Sequence, residues 1–321
     1  MLTEGELQRE AAAAGFRVEV LEKVIRLVDL LETLRSHPFL KPRVALKGGT
    51  ALNLFVFDVP RLSVDIDLNY VGAADRETML ADRPKVEQAI EAVCGRLGIQ
   101  VKRVPPDHAG GKWRLSYTTT SGRPGALELD VNFMLRTPLW PCALGASRPV
   151  GSFVAKEVPV LDPHELGAGK LAALFGRNAS RDLFDVRELL RMGGLEQTRL
   201  RLGFVVYGGI NRRDWREVSL DDVQADPEEV DRSLVPMLRA DIAPARDQIE
   251  QWTSQLVADC RDLLSAVLPL KPTERDFLDR LNDRGEIAPE LLTDDARLQS
   301  VLREHPALRW KAANVQRHFG A

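Results

Sequence analysis

The chain has 321 residues, 44% hydrophobic and 28% charged, an ordinary globular balance that allows two domains and a sizeable buried core. A net charge of −3 excludes a surface that is basic all over, so any nucleic-acid contact has to come from a local patch. Cys94, Cys142 and Cys260 are odd in number and widely spaced, which gives no metal motif and fits a reducing compartment.

The N-terminal MLTEGELQREAAAAGF is acidic and lacks a signal-peptide core. No apolar run reaches the roughly 18 residues that a membrane helix needs. A cytoplasmic protein with no membrane partner is expected. Glu19 to Leu34 repeats apolar residues at helical spacing, the mark of a core helix. Pro38 and Pro42 break the chain before Val44 to Leu46, a short strand. Gly48 and Gly49 follow, and a helix is expected from Thr50 to Phe57. A strand, a glycine turn and a helix start form a phosphate cradle, because free backbone N–H groups and the helix dipole point at an anion. Arg61 to Leu68 reads as a strand. Leu62, Val64, Ile66 and Leu68 share one face, and Arg61, Ser63, Asp65 and Asp67 the other. Adjacent carboxylates repel unless a cation lies between them, and Mg²⁺ takes one or two carboxylates plus substrate phosphates. Cradle and carboxylate pair together suggest a site for a nucleoside triphosphate and its metal.

Arg83 to Leu97 is a second amphipathic helix, ended by Gly98. Ile99 to Val104, Trp113 to Thr119 and Ala126 to Leu135 read as strands, the last two joined as a hairpin through Ser121 to Gly125. On the last strand Leu127, Leu129, Val131 and Phe133 face one way, and Glu128, Asp130 and Asn132 the other, where a carboxylate could join the metal site. Prolines crowd residues 136–163 and mark a domain junction. Asp162 is the expected cap of the next helix, with Glu165 closing a capping box. On one continuous helix Lys170, Arg177 and Arg181 fall within about 40° of each other. Alternatively the helix breaks at Asn178 to Ser180, Ser180 caps a new one and Asp182 enters its first turn, the arrangement preferred here. The rest is mostly helical. Leu202 to Tyr207 reads as a short strand or core segment, Ile242 to Leu268 as a long helix, and Thr273 to Leu281 as a shorter one capped by Thr273. Arg199, Arg201, Arg212, Arg213 and Arg216 around Trp215 offer an RNA contact, diluted by Asp214, Glu217, Asp221 and Asp222. His37, His108, His164, His305 and His318 are scattered, with no zinc spacing and no catalytic triad.

GGTAL followed by RLSVDIDL resembles the AbiEii/MenT-type nucleotidyltransferases, toxins of toxin–antitoxin and abortive-infection systems within the polymerase-beta-like superfamily. LELDVNFMLR is similar to the family segment that carries a third carboxylate, with Asp130 the first choice and Glu128 the second. KLAALFGRNASRDLFDV resembles its KLxALxxRxxxRDxxD segment, where the lysine contacts the triphosphate and the acidic part contributes to activity; Lys170 and Asp182 carry over most directly. The resemblance implies Asp65, Asp67 and Asp130 as metal ligands, and these with Lys170 and Asp182 as catalytic residues. It implies nucleotide contacts from Lys47, Gly48, Gly49, Thr50, Arg61, Ser63, Arg177 and Arg181. Mg²⁺, or Mn²⁺ in its place, is the implied cofactor, an NTP the substrate, a tRNA 3′ end or another RNA the acceptor, and a cognate antitoxin the partner. The C-terminal HPALRWKAANVQRH also resembles the family. With Lys271, Arg275, Arg297, Arg303, Arg309, Lys311 and Arg317 it offers an acceptor surface.

The expected fold is α/β (α+β). A small mixed sheet with flanking helices forms a catalytic domain over residues 1–150, and a mostly helical domain over 151–321 closes the cleft. Transfer onto a protein or small molecule, and a non-catalytic nucleotide- or RNA-binding module, stand as alternatives.

Overall fold

Seven strands form one mixed sheet in the computed structural model, which describes residues 2–104 and 110–319. His108 lies outside the described residues. The strands are β1 (Val44–Lys47), β2 (Asp65–Tyr70), β3 (Gln100–Val104), β4 (Gly110–Thr118), β5 (Pro124–Asn132), β6 (Ala143–Gly145) and β7 (Val158–Val160). Their order is β3-β4-β5-β2-β1-β7-β6. β2 runs parallel to β5 and β1 to β7, and the other neighbours are antiparallel, with β4 and β5 paired as the expected hairpin. By its contacts the chain divides into two units. The first takes residues 1–136, 141–161 and 234–244, and the second takes the remainder, where the sequence reading draws a single boundary after 150.

In the first unit the register sorts side chains onto two faces of the sheet. Leu46, Ile66, Leu68, Tyr70, Trp113, Leu115, Leu127, Leu129 and Val131 are all buried. Burial of each aliphatic side chain contributes about 1.5–3 kcal/mol, which fixes this face inward. The helices of the unit are α1 (Glu4–Ala14), α2 (Val18–Ser36), α3 (Gly48–Ala51) and α4 (Arg76–Arg96). α2 packs on β5 and β7, and α4 on β3. α4 starts seven residues before the expected Arg83. Asp75 caps it by accepting from the Thr78 N–H at 2.8 Å. Pro84 lies inside this helix and is exposed, so water can take the carbonyl it frees. The helix expected at Thr50 begins at Gly48 instead and widens into a π-turn over Leu52–Val56. Strand geometry starts at Asp65 rather than Arg61.

The second unit is helical: α5 (Pro163–Arg177), α6 (Ser180–Met192), α7 (Gln197–Ile210), α8 (Pro227–Glu229), α9 (Ile249–Leu263), α10 (Pro272–Asp279), α11 (Ala296–Glu304) and α12 (Pro306–Phe319). The break after α5 is present, with Asn178 in the left-handed region, but Ala179 holds the cap position and Ser180 is the first helical residue. Leu202 to Tyr207 lies inside α7, not in a strand. The helix expected over Ile242 to Leu268 is only α9, and α10 starts at Pro272, before the expected cap Thr273. Trp215 is fully buried against Phe175 and Phe204, so it offers no stacking face to RNA. The arginines beside it are taken by acids: Arg216 by Asp214, Asp279 and Asp283, and Arg213 by Asp222. No described helix is long and apolar enough to cross a membrane.

Asp162 caps α5 as expected, accepting from the His164 N–H. Glu165 does not close a capping box. It is 2% exposed, accepts from the Leu139 N–H at 2.9 Å, and lies 2.8 Å from the Tyr207 hydroxyl. Burial pushes its carboxyl up from 4.5 to about 7, against the opposing pull of these hydrogen bonds. As pH rises, the unfolded chain releases this proton first, so the native state loses stability between about 4.5 and 7 and is level above that. The loss is on the order of 3 kcal/mol. Glu165→Gln stays neutral and should lack this fall. Urea midpoints followed across that pH range measure it, and parallel profiles for both proteins would refute the assignment.

Candidate active site

Lys47 ends β1 opposite Asp67 of β2. The next residue, Gly48, has φ +73°, and a Cβ there would collide with the Asp67 Oδ2. Only glycine allows the carboxylate to approach the backbone this closely. A Cβ on Gly49 would meet the Ser63 Oγ at 2.9 Å and an Arg61 guanidinium nitrogen at 3.0 Å. Arg61 and Ser63 are therefore gathered at the glycine turn although they precede β2, and both are buried. Arg61 also donates to the Leu62 carbonyl at 2.9 Å. Thr50 is buried and its hydroxyl donates to the Asp65 carbonyl at 2.5 Å, which leaves only its backbone to face a ligand.

The β2–β5 register sets Asp67 beside Asp130 and Asp65 beside Glu128, on strands about 4.8 Å apart. Burial raises the Asp130 pKa; Asp67 and Glu128 raise it further, while Lys47 and Lys112 oppose them. Glu128 is half exposed and held by the Lys112 ammonium at 2.6 Å, a bond that raises the lysine's own pKa. The two acids the sequence leaves open thus have different company: Asp130 faces Asp67, and Glu128 answers a lysine. Sequence reasoning missed Lys112, which only the hairpin register aligns with Asp130. It also missed Asn69, the next same-face residue after Asp67, fully buried with neither carboxamide atom hydrogen-bonded. The alternation Asp65, Asp67, Asn69 was the signal for it.

Among the described residues no three acidic, histidine or cysteine side chains converge as a closed metal cage. Adjacent hard carboxylate oxygens still fit Mg²⁺, which binds through one or two of them and completes its shell with phosphate and water. The donor set suits an open site finished by substrate.

The second unit holds the other expected cluster. The Lys170 ammonium of α5 reaches Asp182 and Asp185 of α6, each at 2.9 Å. Arg177 forks onto Asp182 at 2.6 and 3.1 Å. Both aspartates are buried, and Lys170 is 7% exposed, so it is not a solvated helix residue. Burial drives Asp182 up, but Lys170 and Arg177 outweigh it and hold the carboxyl below the usual range. Asn178, in the left-handed turn, folds α6 back to make the knot. Arg181 is half-buried and takes no part in it.

A family model described as the nucleotidyl transferase AbiEii toxin of type IV toxin–antitoxin systems matches residues 29–313. Among solved structures, MenT4, a nucleotidyltransferase toxin of Mycobacterium tuberculosis H37Rv, is similar with a TM-score of 0.63, over 94% of this chain and 99% of its own. Its sequence identity is 20%, so that likeness is one of fold. No curated protein matches the chain.

Two outcomes are expected. Gly48→Ala introduces steric strain at a positive φ and pushes Asp67 aside, so it should cost about 1–3 kcal/mol in urea unfolding; an unchanged midpoint would remove the close approach. Lys170→Met leaves two buried carboxylates without their ammonium and should destabilise by about 3–5 kcal/mol. A shift in stability below about 0.5 kcal/mol, the ordinary range of surface substitutions, would return Lys170 to an exposed helix face.

Proposed function

Because the chain belongs to the AbiEii family of nucleotidyl transferase toxins of type IV toxin–antitoxin systems, we propose that it transfers a nucleoside monophosphate, with Mg²⁺, to an RNA hydroxyl, first of all a tRNA 3′ end. Family membership makes it a nucleotidyltransferase with an NTP as substrate and a cognate antitoxin as partner, and the non-catalytic alternative gives way. The observation that carries the reading is the adjacency of Asp67 and Asp130 next to the Gly48 turn.

Asp65 and Asp67 would hold the metal, and Asp130 would complete the acidic centre. When bound, Mg²⁺ (or Mn²⁺) neutralises triphosphate charge and lowers the pKa of the attacking hydroxyl. Gly48 and Gly49 keep the backbone clear of side chains, so the N–H groups of the turn face the leaving pyrophosphate together with the Thr50 N–H. Arg61 and Ser63, drawn up against Gly49, add a charge and a hydroxyl to the same phosphates. Lys47 stands opposite Asp67 and balances the acidic charge from the β1 side. Lys170, Asp182, Arg177 and Arg181 keep their proposed parts in triphosphate binding and activity on the resemblance alone.

The test is incubation with each α-phosphate-labelled NTP and total RNA, beside a protein-only control. Asp67→Ala should lose on the order of 10²-fold or more in rate, comparable with losing a strong electrostatic stabiliser. Asp130→Asn should abolish transfer while NTP still binds, and Glu128→Gln, which removes only the partner of Lys112, should be milder. The reverse ranking would hand the third-carboxylate role to Glu128. Full activity in folded Asp67→Ala would sink the site.

A further inference from the structure

The polar face of the sheet continues past the carboxylates. Lys112 of β4 pairs in register with Asp130, Arg114 with Glu128, and Lys102 of β3 with Arg114. Antiparallel partners share a face, so these cations form a ladder on the same side as Asp65, Asp67 and Asp130. Lys102 and Arg114 are exposed, and neither forms an ion pair among the described residues. Glu128 offsets Lys112, which leaves the ladder net positive on a chain of net charge −3. This is the local patch that an overall acidic protein needs in order to meet a polyanion. Gln100 and Ser116 extend the same face with uncharged polar side chains.

Strand order gives the ladder its meaning. The glycine turn follows β1, the carboxylates sit on β2 and β5, and the ladder lies on β4 and β3. The acidic centre is thus flanked by the phosphate cradle on one side and by cations on the other. In-line displacement requires the attacking oxygen to approach opposite the leaving pyrophosphate. With the triphosphate anchored at the β1 side, the acceptor must arrive over β4 and β3. We infer that Lys102 and Arg114, with Lys112 next to the centre, form the track along which the phosphate backbone of an RNA acceptor docks. The inference rests on the proposed nucleotidyl transfer to RNA and locates its acceptor. At the rival location, the basic C-terminal end, Arg303 pairs with Glu290 and Arg309 with Glu304.

The test reads docking without chemistry. Fluorescein-labelled unfractionated tRNA is titrated with the full chain by anisotropy, in EDTA and without NTP, over a series of salt concentrations. Lys102→Gln/Arg114→Gln should weaken binding about tenfold or more at low salt and make the log–log salt slope shallower by about 2, one for each phosphate that the protein no longer neutralises. Lys102→Arg/Arg114→Lys should retain binding, because a phosphate needs the charge. Weakened binding in this conservative pair as well would mean that charge is not what was removed, and overturns the track. Unaltered affinity and slope in the glutamine pair overturns the track alone, as does a loss of affinity that follows Arg303→Gln/Arg309→Gln instead. A wild-type protein that binds no tRNA yet labels a protein acceptor from NTP overturns the RNA acceptor and the track together, while nucleotidyl transfer stands.

Discussion

Side chains on a strand alternate between faces, so the register of β2 against β5 decides whether the acids meet at all. A slip of β2 by one residue would carry Asp65 and Asp67 to the inner face, away from Asp130, and turn Ile66, Leu68 and Tyr70 outward. That exchange is blocked by burial. Exposing Ile66 and Leu68 alone would cost about 3–6 kcal/mol, a large part of the net stability of a domain. The chemistry on one side of the sheet is therefore held in place by hydrocarbon on the other. Arg43 and Tyr70 add a polar clamp, since both donate at 2.9 Å to Asp82 of α4 and tie that helix to the sheet.

Charge is arranged around this centre in a definite order. Acids occupy the middle strands, Lys47 stands on one flank and Lys112 on the other, and each lysine lowers what the neighbouring carboxylates raise at Asp130. Burial comes first among the causes of the raised Asp130 pKa, and the repulsion of Asp67 and Glu128 adds to it. A multivalent cation would relieve that repulsion more effectively than either lysine. In the second unit the opposite solution is used: the Asp182 and Asp185 charges are answered by Lys170 and Arg177 inside the fold, leaving no comparable deficit.

What the sequence made legible depended on period and length. The Asp-x-Asp alternation, the hairpin and the long amphipathic α2 are strong periodic signals, and the structure shows each. Leu202 to Tyr207 is the core segment of the two alternatives, inside α7, and sequence left it open because a short apolar run reads alike as a buried strand or a buried helix. β6 and β7 are three residues long and sit among prolines, too short for any alternation to show. Arg216 and Trp215 look like a nucleic-acid motif in one dimension. Asp279 and Asp283, which neutralise the arginine, lie far along the chain and could not be placed beside it without the fold. The distinction between Glu128 and Asp130 was beyond sequence for the same reason: both share a face, and only the neighbouring strands separate their surroundings.

The first unit is not finished where its acid-bearing strands end. Residues 234–244 return to it: the Leu62 N–H donates to the Met237 carbonyl at 2.8 Å, the Arg239 N–H to Pro60 at 3.0 Å, and the Ala240 N–H to Gly15 at 2.8 Å. These bonds brace the loop that carries Arg61 and Ser63 to the glycine turn. On the ribosome, β5 is complete at Asn132, but the brace must wait for residue 240. At synthesis rates of about 5–20 residues per second that delay is about 5–20 s. A nascent chain of this protein therefore carries its acids long before the loop that bears Arg61 and Ser63 can be braced beside them.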